Sequence, residues 1–142
     1  MRMISSAPAK ADSACVAEDT LISIIDDDDS LRAALVGLVR SLGYRAHGFA
    51  NAEDFIAADH ADRSAAIVTD IQMPGLSGIE LKLQLTAQGC VTPVIMITAR
   101  GEEGLKERAF ASGALCVLKK PFPAEALIDC LERALAKEPA LR

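Results

Sequence analysis

The sequence predicts an α/β domain, a doubly wound five-stranded parallel sheet with helices on both faces, and three observations carry that expectation. Five short strand-like runs alternate with segments of helical periodicity between Leu21 and Lys137. The strongest of these runs are continuously apolar, as strands covered on both faces are. Their carboxyl ends carry acids, a hydroxyl and an ammonium, and in open parallel sheets ligands sit beyond those ends, where strand order reverses.

The first strand is Leu21-Ile22-Ser23-Ile24-Ile25, which runs into Asp26-Asp27-Asp28-Asp29. Leu31, Leu35, Leu38, Val39 and Leu42 then recur at helical spacing, with Asp29 or Ser30 as the N-cap and Gly43 as the stop. Tyr44 to Phe49 reads as a short strand, and Asn51 caps a helix carrying Phe55 and Ile56. The third strand, Ala65 to Thr69, ends at Asp70 and leads into Met73-Pro74-Gly75-Leu76-Ser77-Gly78, a loop shaped by proline and glycine. Ser77 and Glu80 have capping-box spacing and open a helix through Ile79, Leu81, Leu83 and Leu85. Pro93 precedes the strand Val94 to Ile97, which ends at Thr98. A helix from about Glu102 to Ser112 stops at Gly113, and a strand from Ala114 to Leu118 ends at Lys119-Lys120-Pro121. Pro123 suits the first position of a last helix containing Leu127, Ile128, Leu131 and Leu135.

The 142 residues fit one compact domain, and 51% hydrophobic with 25% charged residues is an ordinary globular balance. A net charge of -5 argues against direct nucleic acid binding by this chain, which needs clustered Lys and Arg; Lys119-Lys120 is too small a patch. Cys15, Cys90, Cys116 and Cys130 form no Cys-x-x-Cys pair and read as reduced thiols of a cytoplasmic protein. His47 and His60 fall on different predicted elements and read as partly exposed surface residues. Residues 1–20 are expected to be a disordered leader without a signal-peptide core, 21–137 the domain, and 138–142 a tail too short for an output domain. No segment approaches the roughly 20 uninterrupted apolar residues that span a bilayer, so no membrane association is expected.

The strand-end residues define the chemistry. Carboxylates crowded at Asp26 to Asp29 repel one another and lose hydration, which a hard divalent ion such as Mg2+ offsets. Asp70 alone reads equally well as a capping residue or as a reactive one. With Asp26, Asp27, Thr98 and Lys120 at neighbouring strand ends, the set suits phosphoryl transfer to a carboxylate. Asp70 is then the nucleophile, and the acyl phosphate it forms is labile, as a reversible signal requires.

Four motifs in order carry a resemblance: Ile24-Ile25-Asp26-Asp27-Asp28, Val68-Thr69-Asp70-Ile71-Gln72-Met73-Pro74-Gly75-Leu76-Ser77-Gly78, Val94-Ile95-Met96-Ile97-Thr98-Ala99 and Lys119-Lys120-Pro121-Phe122. From Leu21 to Lys137 the chain resembles the receiver domain of bacterial two-component response regulators, with a flavodoxin-like, CheY-like (βα)5 fold. The resemblance implies that Asp70 accepts a phosphoryl group from the phosphohistidine of a sensor histidine kinase or phosphotransfer protein. It implies that Asp27, Asp70 and the backbone carbonyl of Gln72 ligate Mg2+, for which Mn2+ or Ca2+ substitutes, and that Asp26 acts mostly through water. Thr98 and Lys120 would hold phosphoryl oxygens, and the Lys120-Pro121 peptide would be cis. Asp28 and Asp29 match no ligand position and are left to solvate and cap the first helix.

One position departs from the family. Receivers usually carry an aromatic residue three positions before the lysine, whose rotation accompanies phosphorylation, and here Val117 stands there. Switching is therefore expected to run through Thr98 and the loop from Ala99 to Gly104, with weaker coupling to the outer surface. Gln72 and Arg100 stand where receivers control access of the hydrolytic water, although Arg100 reads equally as a solvated loop residue. The family implies a weak, phosphorylation-enhanced homodimer through a face that would include Leu105, Phe110, Val117 and Leu127, some of which read by default as core residues from their periodicity, and a downstream partner or an output domain elsewhere. A haloacid dehalogenase phosphatase would need an acid where Gln72 stands, and a nucleotide-binding flavodoxin-like protein would not place aspartates in its first turn. A phosphorylation-independent interaction module is the remaining alternative.

Overall fold

The computed structural model describes residues 20–99 and 104–137. It contains β1 (Leu21–Ile25), α1 (Asp29–Ser41), β2 (Arg45–Phe49), α2 (Ala52–Ala58), β3 (Ala66–Asp70), α3 (Gly78–Ala87), β4 (Val94–Thr98), α4 (Leu105–Ala111), β5 (Cys116–Lys119) and α5 (Ala124–Lys137). The strands form one parallel sheet in the order β2-β1-β3-β4-β5. From β1 the chain steps outward to β2, and from β3 it builds in the opposite direction. The crevice of this reversal therefore opens between the carboxyl ends of β1 and β3.

Side chains alternate across each strand, so the apolar runs feed two cores. Ile22, Ile24, Val68, Ile95 and Ile97 pack with Leu35 and Val39 of α1 and Leu127 and Leu131 of α5. Ile25, Ile67, Val94 and Met96 pack on the other side with Phe55 of α2, Leu81 and Leu85 of α3, and Leu105 and Ala109 of α4. Two helices thus cover one face and three the other, which is why β1, β3 and β4 are buried along their whole length.

Several expectations shift by small amounts with identifiable causes. Asp28, not Asp29 or Ser30, caps α1: its carboxylate accepts from the backbone N–H groups of Ser30 and Leu31. Asp29 is left free to pair with Arg32 at 2.7 Å, a helical i,i+3 contact. The capping box of Ser77 and Glu80 is present in both directions. Leu83 is 52% exposed although Leu81 and Leu85 are core, because a step of two residues turns about 200° around a helix. Lys82 lies buried next to Leu81, its stem over Gly113, whose φ of +110° and lack of a Cβ leave room for it. Pro123 stands just before α5, and its carbonyl accepts from Ala126 N–H at 3.0 Å. The described part of α4 begins at Leu105, three residues after the expected Glu102, which lies outside the described residues together with the loop residues from Arg100 to Glu103. The expected leader, except Thr20, and the expected tail also lie outside them. No helix among the described residues is long and apolar enough to cross a membrane.

Candidate functional site

Register brings the strand ends level. Ile25 pairs with Thr69, Asp70 with Ile97, and Thr98 with Lys119, so the residue following β1, the last of β3 and the residue following β5 meet at one edge. Carboxylate oxygens of Asp26, Asp27 and Asp70 lie within 4.8 Å of one another. Lys120 reaches into this group, its Nζ 3.5 Å from Asp26 Oδ2 and 3.5 Å from Asp70 Oδ2.

The burial of these acids is uneven, and that sets their chemistry. Asp26 and Asp70 are 1% and 5% exposed, whereas Asp27 is exposed. Asp26 Oδ1 accepts from Asp28 N–H at 2.9 Å. Asp26 Oδ2 and Asp70 Oδ1, both buried, have no hydrogen-bond partner among the described residues, although Asp26 Oδ2 is ion-paired with Lys120. Burial, and next the charge of Asp26, raise the Asp70 carboxyl from 3.8 to about 6 against the opposing pull of Lys120 and of a backbone hydrogen bond from Gln72. One ammonium is shared by two buried carboxylates, so a net negative charge remains that is costly in a poorly solvated crevice. These two oxygens, together with exposed Asp27, match the all-oxygen donor set of a hard divalent cation.

Three contacts fix the loop after Asp70. Ile71 N–H donates to Ile97 O at 2.8 Å, and Gly78 N–H returns to Ile71 O at 3.0 Å. From α2, Glu53 Oε2 accepts from Leu76 N–H at 3.0 Å. Thr98 Oγ1 donates to Gln72 Oε1 at 3.1 Å, and Thr98 O accepts from Lys120 N–H at 2.8 Å. The Lys120-Pro121 peptide is cis. Gly78 is required where α3 meets β3, since a Cβ there would stand 2.5 Å from Asp70 O and 3.2 Å from Ile71 Cα, both backbone atoms. Gly78→Ala is expected to lower stability by about 1–2 kcal/mol, measured by urea unfolding, as overpacking at an unyielding backbone does.

The structure thus assembles Asp26, Asp27, Asp70 and Lys120, with Thr98 tied to them through Gln72 and the Lys120 backbone. Arg100 lies outside the described residues. Sequence reasoning missed Arg32, whose Nη1 donates to Asp26 O at 2.8 Å, and Glu53; the i,i+3 spacing of Asp29 and Arg32 was the available signal for the first. It also treated His47 and His60 as unrelated, whereas their rings stack edge to face with centroids 5.0 Å apart. Burial, aided by Arg63, lowers the His60 pKa. Cys90, Cys116 and Cys130 are buried free thiols, so no disulfide is formed among them.

Comparison with known proteins gives a consistent result. The family description "Response regulator receiver domain" matches residues 22–132. The chain is 40% identical over 116 residues to the C4-dicarboxylate transport transcriptional regulatory protein DctD of Pseudomonas aeruginosa, covering 82% of this chain and 25% of that protein. It is 36% identical over 120 residues to the transcriptional regulatory protein FixJ of Azorhizobium caulinodans, covering 84% and 57% respectively. Among solved structures, FixJ-N superposes with a TM-score of 0.75 at 30% identity, covering 84% of this chain and 95% of that one. The response regulator StyR gives 0.79 at 37% identity, covering 85% and 61%. The chain spans only a quarter to just over half the length of these two curated relatives.

Proposed function

The chain belongs to the response regulator receiver domain family, and from that premise and the site's geometry we propose that Asp70 is the phosphoacceptor of a two-component signalling switch. The observation that supports this most is the pair of buried carboxylates sharing one lysine, each with an oxygen that accepts no hydrogen bond among the described residues. In the reaction an Asp70 carboxylate oxygen attacks the phosphorus of a phosphohistidine on a sensor histidine kinase or phosphotransfer protein. The P–N bond breaks as the O–P bond forms, and the departing imidazole nitrogen takes a proton.

Asp27, Asp70 and the Gln72 backbone carbonyl would hold Mg2+ directly, with Asp26 acting mostly through water. When bound, the ion supplies charge neutralisation and alignment of the transferring oxygens. Lys120, already 3.5 Å from Asp70, pairs with a phosphoryl oxygen, and Thr98 donates its hydroxyl to another. Water attack on the acyl phosphate then returns Asp70 to its carboxylate, so the protein resets itself without being an enzyme acting on a separate substrate. In this reading it works in the cytoplasm, and output passes to a partner protein or to a further domain.

Incubation with a small acyl phosphate donor and Mg2+ tests the proposal: a mass increase of one phosphoryl group, lost on standing, is expected. No uptake would favour the phosphorylation-independent interaction module.

Val117 is partly buried against the core on the α2, α3 and α4 side of the sheet, three residues before Lys120. A β-branched side chain there has little rotational freedom with which to report the state of Asp70. Of the residues expected on a dimer face, Leu105 and Leu127 are core on opposite sides of the sheet, while Phe110 is 44% exposed. A phosphorylation-enhanced homodimer would thus rest on a thin apolar surface and be weak. Val117→Tyr is expected to strengthen phosphorylation-dependent dimerisation severalfold in sedimentation equilibrium; an unchanged dissociation constant would show that position 117 does not limit coupling.

A further inference from the structure

Gln72 serves the site by its side chain as well as its backbone. Thr98 is 6% exposed, and its hydroxyl is directed at Gln72 Oε1 at 3.1 Å, joining the loop after β3 to the end of β4. A hydroxyl has one proton to donate. In the phosphorylated protein the same proton is needed by a phosphoryl oxygen on Asp70. The two acceptors compete, and the resting contact must break before the switched one forms.

We propose that the Gln72 carboxamide is a latch that holds Thr98 in the resting arrangement and sets how far phosphorylation shifts the switch. Resting on the phosphoacceptor reading above, this makes Gln72 a positioning residue that acts through Thr98. The loop gives the latch a firm base, because Ile71 N–H is bonded to Ile97 O, Gly78 N–H to Ile71 O, and Leu76 N–H to Glu53. The Gln72 side chain can therefore bias Thr98 without carrying the Asp70 backbone with it. A ligand or modification shifts a two-state equilibrium only by its differential interaction with the two states, and removing a contact made in the resting state alone favours the switched one.

The test uses beryllium fluoride with Mg2+ as a stable phosphoryl mimic and measures its apparent affinity by calorimetry in Gln72→Met, Thr98→Val and the double variant. Gln72→Met keeps side-chain length and removes the acceptor, and is expected to tighten binding about three- to tenfold, the worth of one net hydrogen bond. In the Thr98→Val background the same change is expected to have no effect, since the hydroxyl is gone. Gln72→Ala repeats the comparison should Gln72→Met fold poorly. An equal gain in both backgrounds, or no gain in either, would overturn the latch while leaving the phosphoacceptor reading intact. No binding of the mimic by the unaltered protein would overturn that reading, and the latch with it.

Discussion

Asp70→Asn is expected to abolish uptake of a phosphoryl group from a small donor, with a loss of at least about 1000-fold in rate, the scale seen when a nucleophile is removed. The carboxamide is nearly isosteric and occupies the same place at the end of β3, so the sheet register from Asp70 to Ile97 and the Ile71 to Ile97 hydrogen bond persist. What is lost is an anionic oxygen aimed into the crevice beside Lys120. An amide oxygen forms no stable linkage to phosphorus under these conditions. Intact-mass spectrometry of donor-treated protein reads this directly, and residual uptake near the unaltered rate would move the acceptor elsewhere.

The same substitution is expected to stabilise the metal-free protein at neutral pH, because burial and Asp26 disfavour the charged Asp70 carboxylate. The Asp70 carboxyl rises from 3.8 to about 6 on folding, first through burial and then through Asp26. A group with a raised folded pKa contributes fully below its unfolded value and loses that contribution as pH rises through the folded one. Stability in chelator should therefore fall between about pH 4 and pH 6, and Asp70→Asn should remove that fall. At pH 7.5 the variant is expected to be more stable by about 1–3 kcal/mol, the range set by a shift of roughly two units. Near pH 3 the difference should almost vanish, since the unaltered carboxyl is then largely protonated in both states. Mg2+ binding by the folded state is expected to raise the midpoint of the unaltered protein more than that of the variant and narrow the gap. Thermal unfolding in chelator and in Mg2+ at these two pH values measures all four quantities.

The elements and their reactive ends were legible because they rest on local signals. Ile24-Ile25-Asp26, Val68-Thr69-Asp70, Ile97-Thr98 and Leu118-Lys119-Lys120 each pair a buried run with an abrupt polar terminus, and parallel topology alone brings such termini to one edge. The capping box at Ser77 and Glu80 and the Asn51 cap to Asp54 N–H are equally local. What stayed hidden depends on pairs far apart in sequence. Glu53 meets Leu76 across 23 residues and Thr98 meets Gln72 across 26, contacts that no periodicity encodes. The sequence puts Leu81, Leu83 and Leu85 on one helix without assigning faces, and only three- and four-residue steps return to the same side, so Leu83 is exposed. The sequence places the α1 cap at Asp29 or Ser30, with Asp28 and Asp29 given only a general capping role, and backbone geometry at Asp28 is what singles it out among four consecutive aspartates.

The most direct test of the account is to locate the phosphoryl group chemically. Borohydride reduces an aspartyl phosphate to homoserine, so donor-treated protein trapped with tritiated borohydride, digested and sequenced should carry its label at position 70 alone, and only when Mg2+ is present. Label on any other aspartate, or equal labelling in chelator, would contradict it.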